Sequence, residues 1–154
     1  MRFPNVKRGR PRDTGIIDER LNPVRIHGYP TVIDTYSSYV PIRLIDTNDT
    51  TQWISNSKMP NVWCKLDLGS AKVITKARLY QNTAVSVATQ YKIESSDDDS
   101  TWTLQHTSAA GLGVGEYIVY IPYFRARYWR WWCLAGSASY GWDVMSIELW
   151  GLVF

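Results

Sequence analysis

Apolar and polar residues alternate in short runs through most of the chain. Cys64, Leu66 and Leu68 fall on one face of such a run, while Lys65 and Asp67 fall on the other. Alternation with a period of two predicts half-buried β-strands. The same pattern predicts strands over residues 73–80, 91–95, 102–106, 116–121, 127–134 and 146–153. No run has helical periodicity, so the sequence predicts an all-β protein built as an antiparallel β-sandwich.

The first 35 residues lack this alternation. Pro4, Pro11, Pro23 and Pro30 interrupt them, and a residue that precedes proline favours an extended backbone. We therefore predict an extended N-terminal arm over residues 1–35 and a sandwich domain over residues 36–154. Residues 1–25 hold seven of the 17 basic residues but three of the 14 acidic ones. A basic segment of this kind suggests contact with another molecule.

The overall composition narrows the class of protein. No apolar run approaches the roughly 18 residues of a membrane span, and no apolar segment typical of a secretory signal follows the N-terminal charges. Two cysteines, Cys64 and Cys133, do not make a disulfide framework. We expect both to be buried thiols, and a bridge between them is the alternative. Eight Trp and ten Tyr supply rings for a core or for a binding surface.

Four segments occur in the order and spacing of a known domain family. They are Asp46-Thr47-Asn48 with Thr51 and Trp53, Trp63 with Asp67-Leu68-Gly69, the run Tyr91 to Trp102, and Ala126 to Arg130 followed by Glu148 to Gly151. The set resembles the discoidin domain, also called the coagulation factor 5/8 C-terminal domain, whose jelly-roll fold is shared by many carbohydrate-binding modules. The resemblance implies a discoidin-like jelly roll that binds ligands through loops at one end of the sandwich.

Two positions depart from the family pattern. Thr47 and Asp99 both stand where the family commonly has glycine. Glycine permits a positive φ at such turns. We expect the two turns either to adopt another geometry or to carry mild strain.

Motifs for catalysis are missing from the sequence. It contains no Gly-x-Ser-x-Gly, His-Glu-x-x-His or phosphate-binding glycine loop, and its two histidines, His27 and His106, lie far apart in the chain. The acidic run Asp97-Asp98-Asp99 has the composition of a hairpin turn. The sequence therefore predicts a protein that is not an enzyme.

A structural calcium ion is implied by the resemblance. Similar modules bind calcium at the first turn, closed by a glutamate near the C-terminal strand, and the matching residues are Asp46, Asn48, Thr51 and Glu148. Their carboxylate, amide and hydroxyl oxygens suit a hard cation. The alternative is that Asp46 and Thr51 cap the turn through side-chain hydrogen bonds.

Sugar binding requires an aromatic platform with a few polar groups beside it. Three predicted loops have that composition. The candidate residues are Tyr36 and Tyr39 in the first loop, Asn82 in the second, and Tyr140, Trp142 and Asp143 in the third. A buried position for Trp142 under the last strand is the alternative. Arg127 and Arg130 are further candidates, and pairing with carboxylates such as Asp67 is their alternative.

The arm contains Lys7, Arg8, Arg10 and Arg12 within the run Lys-Arg-Gly-Arg-Pro-Arg. This run resembles the AT-hook, whose arginines enter the minor groove of A·T-rich DNA. We favour instead an anchoring role for the arm against other subunits of an assembly.

These features lead to a hypothesis on function by analogy with small phage proteins that reuse this fold. We expect a structural or attachment subunit of a larger particle, oligomeric in place, such as a phage tail, baseplate or capsid decoration located in the virion. It would adhere to host surface glycans or cement neighbouring subunits. The alternatives are a free-standing extracellular lectin and a DNA-associated protein.

Overall fold

Antiparallel strands make up most of residues 22–153, the part of the chain that this computed structural model describes. Nine strands occur in that part: β1 Val24–Ile26, β2 Tyr29–Val32, β3 Trp53–Lys58, β4 Trp63–Gln81, β5 Ala88–Ser96, β6 Thr103–Thr107, β7 Gly115–Gly136, β8 Gly141–Val144 and β9 Ser146–Leu152. One short 3₁₀ helix, Pro41–Leu44, precedes β3. The predicted all-β fold class is confirmed.

Strands β4 and β7 each run through both layers of the sandwich. In the first layer β2, the start of β4, the end of β7, β5 and β6 pair in that order. In the second layer β1, β9, the end of β4 and the start of β7 pair in that order. The register of β4 on β7 shifts between Asp67 and Lys72. Gly69 lies there with φ +76°, a conformation that glycine adopts without steric cost. The alternation pattern predicts two separate strands in the place of β4 and two in the place of β7, and the structure joins each pair into one strand.

Alternation along these strands fills the space between the layers. Cys64, Leu66 and Leu68 of β4 are buried as predicted, and Trp129 and Trp131 of β7 face them from the neighbouring strand. Ile74, Ala77, Leu79, Ile147 and Leu149 contribute from the second layer. Each large ring removes about 150–250 Å² of surface from water, so the tryptophans supply much of the driving force for folding. Cys64 and Cys133 are free and buried, which confirms the thiol prediction.

The predicted boundary between arm and domain at residue 35 is wrong for the described part of the arm. β1 pairs with β9 through Val24, and β2 pairs with β4 through Tyr29 to Val32, so both strands belong to the main sheet. Pro30 has no amide hydrogen to donate. The sheet tolerates it because β2 is an edge strand that pairs with β4 on one side. The anchoring residues Lys7, Arg8, Arg10 and Arg12 lie outside the described residues.

Both turns that have another residue where the family commonly has glycine place that residue at a positive φ. Thr47 has φ +62° and Asp99 has φ +59°. Asp99 lies in the hairpin between β5 and β6, where Asp98 accepts hydrogen bonds from the amides of Ser100 (2.9 Å) and Thr101 (2.7 Å). The acidic run is therefore a capped turn, as predicted, and the expected strain falls on its last residue.

Candidate functional site

One end of the sandwich carries the loops in which the sequence placed the sugar site. Because the strands are antiparallel, the segment after β2, the β4–β5 loop and the β7–β8 loop all reach this end. Backbone hydrogen bonds join them: the amide of Tyr36 donates to the carbonyl of Ile54, and the amide of Met59 donates to the carbonyl of Tyr140. We call this end of the molecule the loop end. The small sheet of β3 and β8 braces it.

Tyr36 and Tyr39 form an aromatic platform at the loop end. Their rings are nearly parallel, at 15°, with centroids 6.3 Å apart. The Arg43 guanidinium lies 5.5 Å from the centre of the Tyr39 ring. Tyr36 is 49% exposed, so one ring of the stack is open to solvent. An exposed ring beside a guanidinium supplies a stacking surface and hydrogen-bond donors for a sugar.

Two other predicted sugar residues stay at the surface. Tyr140 is 45% exposed, and its loop is held by the backbone bond to Met59. Asn82 is exposed directly after β4. The structure thus places Tyr36, Asn82 and Tyr140 on loops of the same end.

Trp142 is not a sugar platform. Its side chain is fully buried on β8 and packs edge-on against Trp53, with ring centroids 6.4 Å apart and planes at 70°. Its indole N–H donates to Gln81 Oε1 at 2.9 Å. The alternative of a buried core position is therefore confirmed. The reason is that residues 141–144 form a strand and not a loop.

Asp143 is also buried, which contradicts its predicted role as a direct sugar ligand. The residue is 1% exposed, and its Oδ1 atom has no hydrogen-bond partner. Burial raises the pKa of this carboxyl above its ordinary value, while the Thr83 hydroxyl opposes the shift. Its backbone amide donates to the carbonyl of Ser86, so Asp143 fixes the β4–β5 loop from beneath.

The calcium ligands of the first turn are brought together in part. Thr51 Oγ1 lies 2.5 Å from Asp46 Oδ2 and 3.0 Å from the carbonyl oxygen of Asn48. Asp46 Oδ1 also accepts the amide of Asn48 at 2.9 Å, as the capping alternative predicts. A carboxylate, a carbonyl and a hydroxyl that converge in this way have the chemistry of a calcium site. Asp46, Asn48 and Thr51 would hold the ion, which would brace the turn.

Glu148 does not join that cluster. Its carboxylate lies 3.4 Å from Arg78 and 3.6 Å from Arg25. Arg78 also binds Asp49 at 3.0 Å and Glu116 at 3.1 Å. Two guanidinium groups already compensate the Glu148 charge, and its role as a calcium ligand stays a prediction. Within residues 22–153 no group of three or more acidic, histidine or cysteine side chains forms a metal site.

The arginines of β7 are paired with carboxylates. Arg127 binds Asp67 through two hydrogen bonds of 2.7 and 2.9 Å, and Arg130 binds Glu94 at 2.6 Å. The Arg127 hydrogen bonds lower the pKa of Asp67, although burial opposes the shift. The alternative of ion pairing is therefore confirmed for Arg127. Sequence reasoning missed the partner of Arg130, because Glu94 lies on β5 and the pairing of β5 with β7 is not visible in the sequence.

Between residues 22 and 153 no helix has the length and apolarity needed to cross a bilayer.

The fold, the continuous strands β4 and β7, and the aromatic loop end define a galactose-binding-like β-sandwich of the carbohydrate-binding type. The sequence model of the F5/8 type C family described as the NedA-like, galactose-binding domain matches residues 43–131, more than half of the chain. The chain belongs to this family.

Solved structures share the fold. Chitosan-binding module 1 from a chitosanase/glucanase of Paenibacillus sp. IK-5, solved as a point mutant, is 25% identical with a TM-score of 0.71, and the match covers 82% of this chain and 96% of the module. Module 2 of the same enzyme, solved with chitotriose, is 21% identical with a TM-score of 0.73 over 82% of this chain and 98% of the module.

The fold also occurs within larger enzymes. A family 89 glycoside hydrolase from Clostridium perfringens is 19% identical with a TM-score of 0.73, and the match covers 84% of this chain but 15% of the enzyme. A search of curated proteins by sequence found no significant match.

Proposed function

We propose that this domain is a non-catalytic glycan-binding module that uses its loop end. The observation that carries the proposal is the Tyr36–Tyr39 stack with Arg43 beside it, on a fold that belongs to a galactose-binding family. Tyr140 on the neighbouring loop adds a second exposed ring. Saccharides stack their C–H faces on such rings and use nearby donors for their hydroxyl groups.

The structural neighbours suggest the first ligands to try. Two of them are chitosan-binding modules, one solved with chitotriose. We therefore choose chitotriose and terminal galactosides as probes. The platform has two rings and one guanidinium, so we expect binding of one or two sugar units with modest affinity.

The test is a glycan array followed by titration calorimetry with the full chain. Tyr36→Ala and Tyr140→Ala should each weaken binding about tenfold, which is the loss of about 1.4 kcal/mol expected for a stacking ring. Tyr29→Ala is the matched control, because Tyr29 is 73% exposed but lies at the start of β2, away from the loop end. Glycan binding that survives both loop substitutions would reject this site.

A role in a larger particle depends on the anchoring residues Lys7, Arg8, Arg10 and Arg12. The virion subunit, the free extracellular lectin and the DNA-associated protein all stay predictions. Deletion of residues 1–21 separates them. Loss of incorporation into a particle with unchanged glycan binding supports an anchor, loss of DNA retention supports the AT-hook resemblance, and no change in either supports a free lectin.

A further inference from the structure

A groove of about 460 Å³ lies on the outer face of the second layer. Lys76 of β4 lines the groove, and its register partners Trp150 on β9 and Tyr120 on β7 line it too. Lys76 is five residues from the end of β4 at Gln81, roughly 16 Å along the strand. The groove is therefore separate from the loop end.

Two tyrosines form the open wall of this groove. Tyr120 is 80% exposed and Tyr123 is 70% exposed, both more than Tyr36 at the loop end. Tyr123 has φ +52°, a left-handed conformation that is rare for a bulky residue. Backbone strain of this kind is often found where a side chain has a binding role. The chain thus holds two large rings in water at the edge of a concave surface.

Among the residues that the structure describes, the cations around the groove have no carboxylate partner. Lys76 Nζ lies 4.0 Å from the centre of the Trp150 ring, and Lys72 and Arg125 line a second depression of about 260 Å³ on β4 and β7. None of these three forms an ion pair with any residue in the range 22–153. The described residues that line the groove and the depression include no acidic side chain.

The outer face of the first layer provides an internal contrast. It also combines cations with aromatic rings, but there each cation has an acidic partner. The pairs are Lys65 with Asp99, Lys92 with Glu94, Arg127 with Asp67 and Arg130 with Glu94. That face is electrostatically satisfied by its own residues, whereas the groove presents positive charge to solvent.

We propose that this groove is a second binding site and that its ligand is an acidic saccharide, with a hexuronate unit as the recognised element. The sugar ring stacks on Tyr120 and Tyr123, and its carboxylate lies against Lys76. Lys72 and Arg125 receive the carboxylate of a following unit. Trp150 holds the Lys76 stem in place, so the ammonium group is positioned before the ligand arrives.

The dimensions favour a saccharide over a nucleic acid. The volume falls in the range of small-molecule pockets, about 300–1,000 Å³. Single-stranded nucleic acids instead need a basic track that follows several nucleotides. Here a single cation stands beside the rings, and the other two lie in the second depression.

The experiment uses the full chain and trigalacturonate, with methyl-esterified trigalacturonate as the probe that lacks the negative charges. Titration calorimetry at low salt should detect the acid and not the ester. Tyr120→Ala should weaken binding about tenfold, and Lys76→Met, which keeps the apolar stem on Trp150, about fivefold. Binding should also weaken as the salt concentration rises.

Two control variants and one comparison ligand, hexathymidylate, test the assignment of binding to the groove. Tyr36→Ala at the loop end should leave trigalacturonate binding unchanged, so the groove can succeed or fail independently of the proposed glycan function. Lys65→Met on the first layer should likewise have no effect. The proposal is overturned if trigalacturonate does not bind, if the ester binds equally, if Tyr36→Ala abolishes binding, or if hexathymidylate binds more tightly than trigalacturonate.

Discussion

The indole N–H of Trp142 donates to the side-chain carbonyl of Gln81 at 2.9 Å, and both residues are fully buried. The side-chain nitrogen of Gln81 donates to the backbone carbonyls of Ala88 (2.9 Å) and Gly113 (3.1 Å). The side-chain oxygen of Gln81 also accepts a hydrogen bond from the backbone amide of Ala88 (3.0 Å). Gln81 therefore uses its full hydrogen-bonding capacity. It ties β8 to both ends of the β4–β5 loop, and so fixes one loop of the candidate glycan site.

Replacement of Gln81 by methionine should be strongly destabilising. The change keeps the volume but leaves buried groups of Ala88 and Trp142 without partners, at a cost of about 2–4 kcal/mol. Urea unfolding measures the effect. The control is Gln90→Met, since Gln90 is half-buried and makes one side-chain bond, to Ser108 at 3.2 Å. Equal losses for the two variants would contradict the network argument.

Substitution of Thr47 by glycine should stabilise the domain. A β-branched residue at φ +62° carries a steric cost that glycine removes, and we expect a net gain of about 1 kcal/mol. Asp99→Gly should gain less, because Asp99 binds Lys65 at 2.6 Å and that ion pair is lost. Thermal melts of the two variants give the order. A larger gain for Asp99→Gly would show that backbone strain at residue 47 is small.

The buried carboxyl of Asp143 should make stability fall as pH rises. Its folded pKa is raised, chiefly by burial. Its contribution is therefore complete below the unfolded pKa near 4 and is lost as pH rises through the folded pKa. Asp143→Asn removes this titration, so its stability relative to wild type should increase as pH rises from about 4 through the folded pKa of Asp143. Urea unfolding at several pH values measures the difference.

Asp67 provides a control of opposite sign. Hydrogen bonds from Arg127 lower its pKa, so its contribution is present above the unfolded value and lost as pH falls through the folded one. Asp67→Asn should therefore lose stability relative to wild type above about pH 4. The same slope for both variants would contradict the assignment of Asp143.

Calcium should raise the melting temperature of the wild-type protein. Binding to the native state at 100 times the dissociation constant adds about 2.7 kcal/mol. Asp46→Ala should abolish the response to calcium because it removes the carboxylate of the turn. Glu148→Gln should keep it, because the Glu148 carboxylate pairs with Arg78 and Arg25 and does not join the cluster of Asp46, Asn48 and Thr51. No shift between calcium and chelator in the wild type would leave the hydrogen-bonded cap as the sole role of the turn.

The sequence was sufficient for those features that depend on local pattern. Alternation at Cys64, Leu66 and Leu68 identified a buried face, and Thr47 and Asp99 marked two turns for which the sequence left strain and another geometry as alternatives. Both signals arise from the backbone geometry of a few adjacent residues. They are therefore readable without knowledge of the tertiary structure.

Features that depend on contacts between residues distant in the sequence could not be predicted from the sequence. Trp142 has the same neighbours in sequence whether it plugs a core or forms a platform, and contact with Trp53 and Gln81 decides between the two. Pro23 and Pro30 suggested an arm, but edge strands tolerate proline. The groove beside Lys76 was missed because Tyr120 and Trp150 meet it only through strand pairing.

Continuity of β4 and β7 through both layers has a mechanical consequence. The two layers share these two backbones, so we expect the layers to unfold together. Amide exchange in the central strands of either layer should then report one common opening energy.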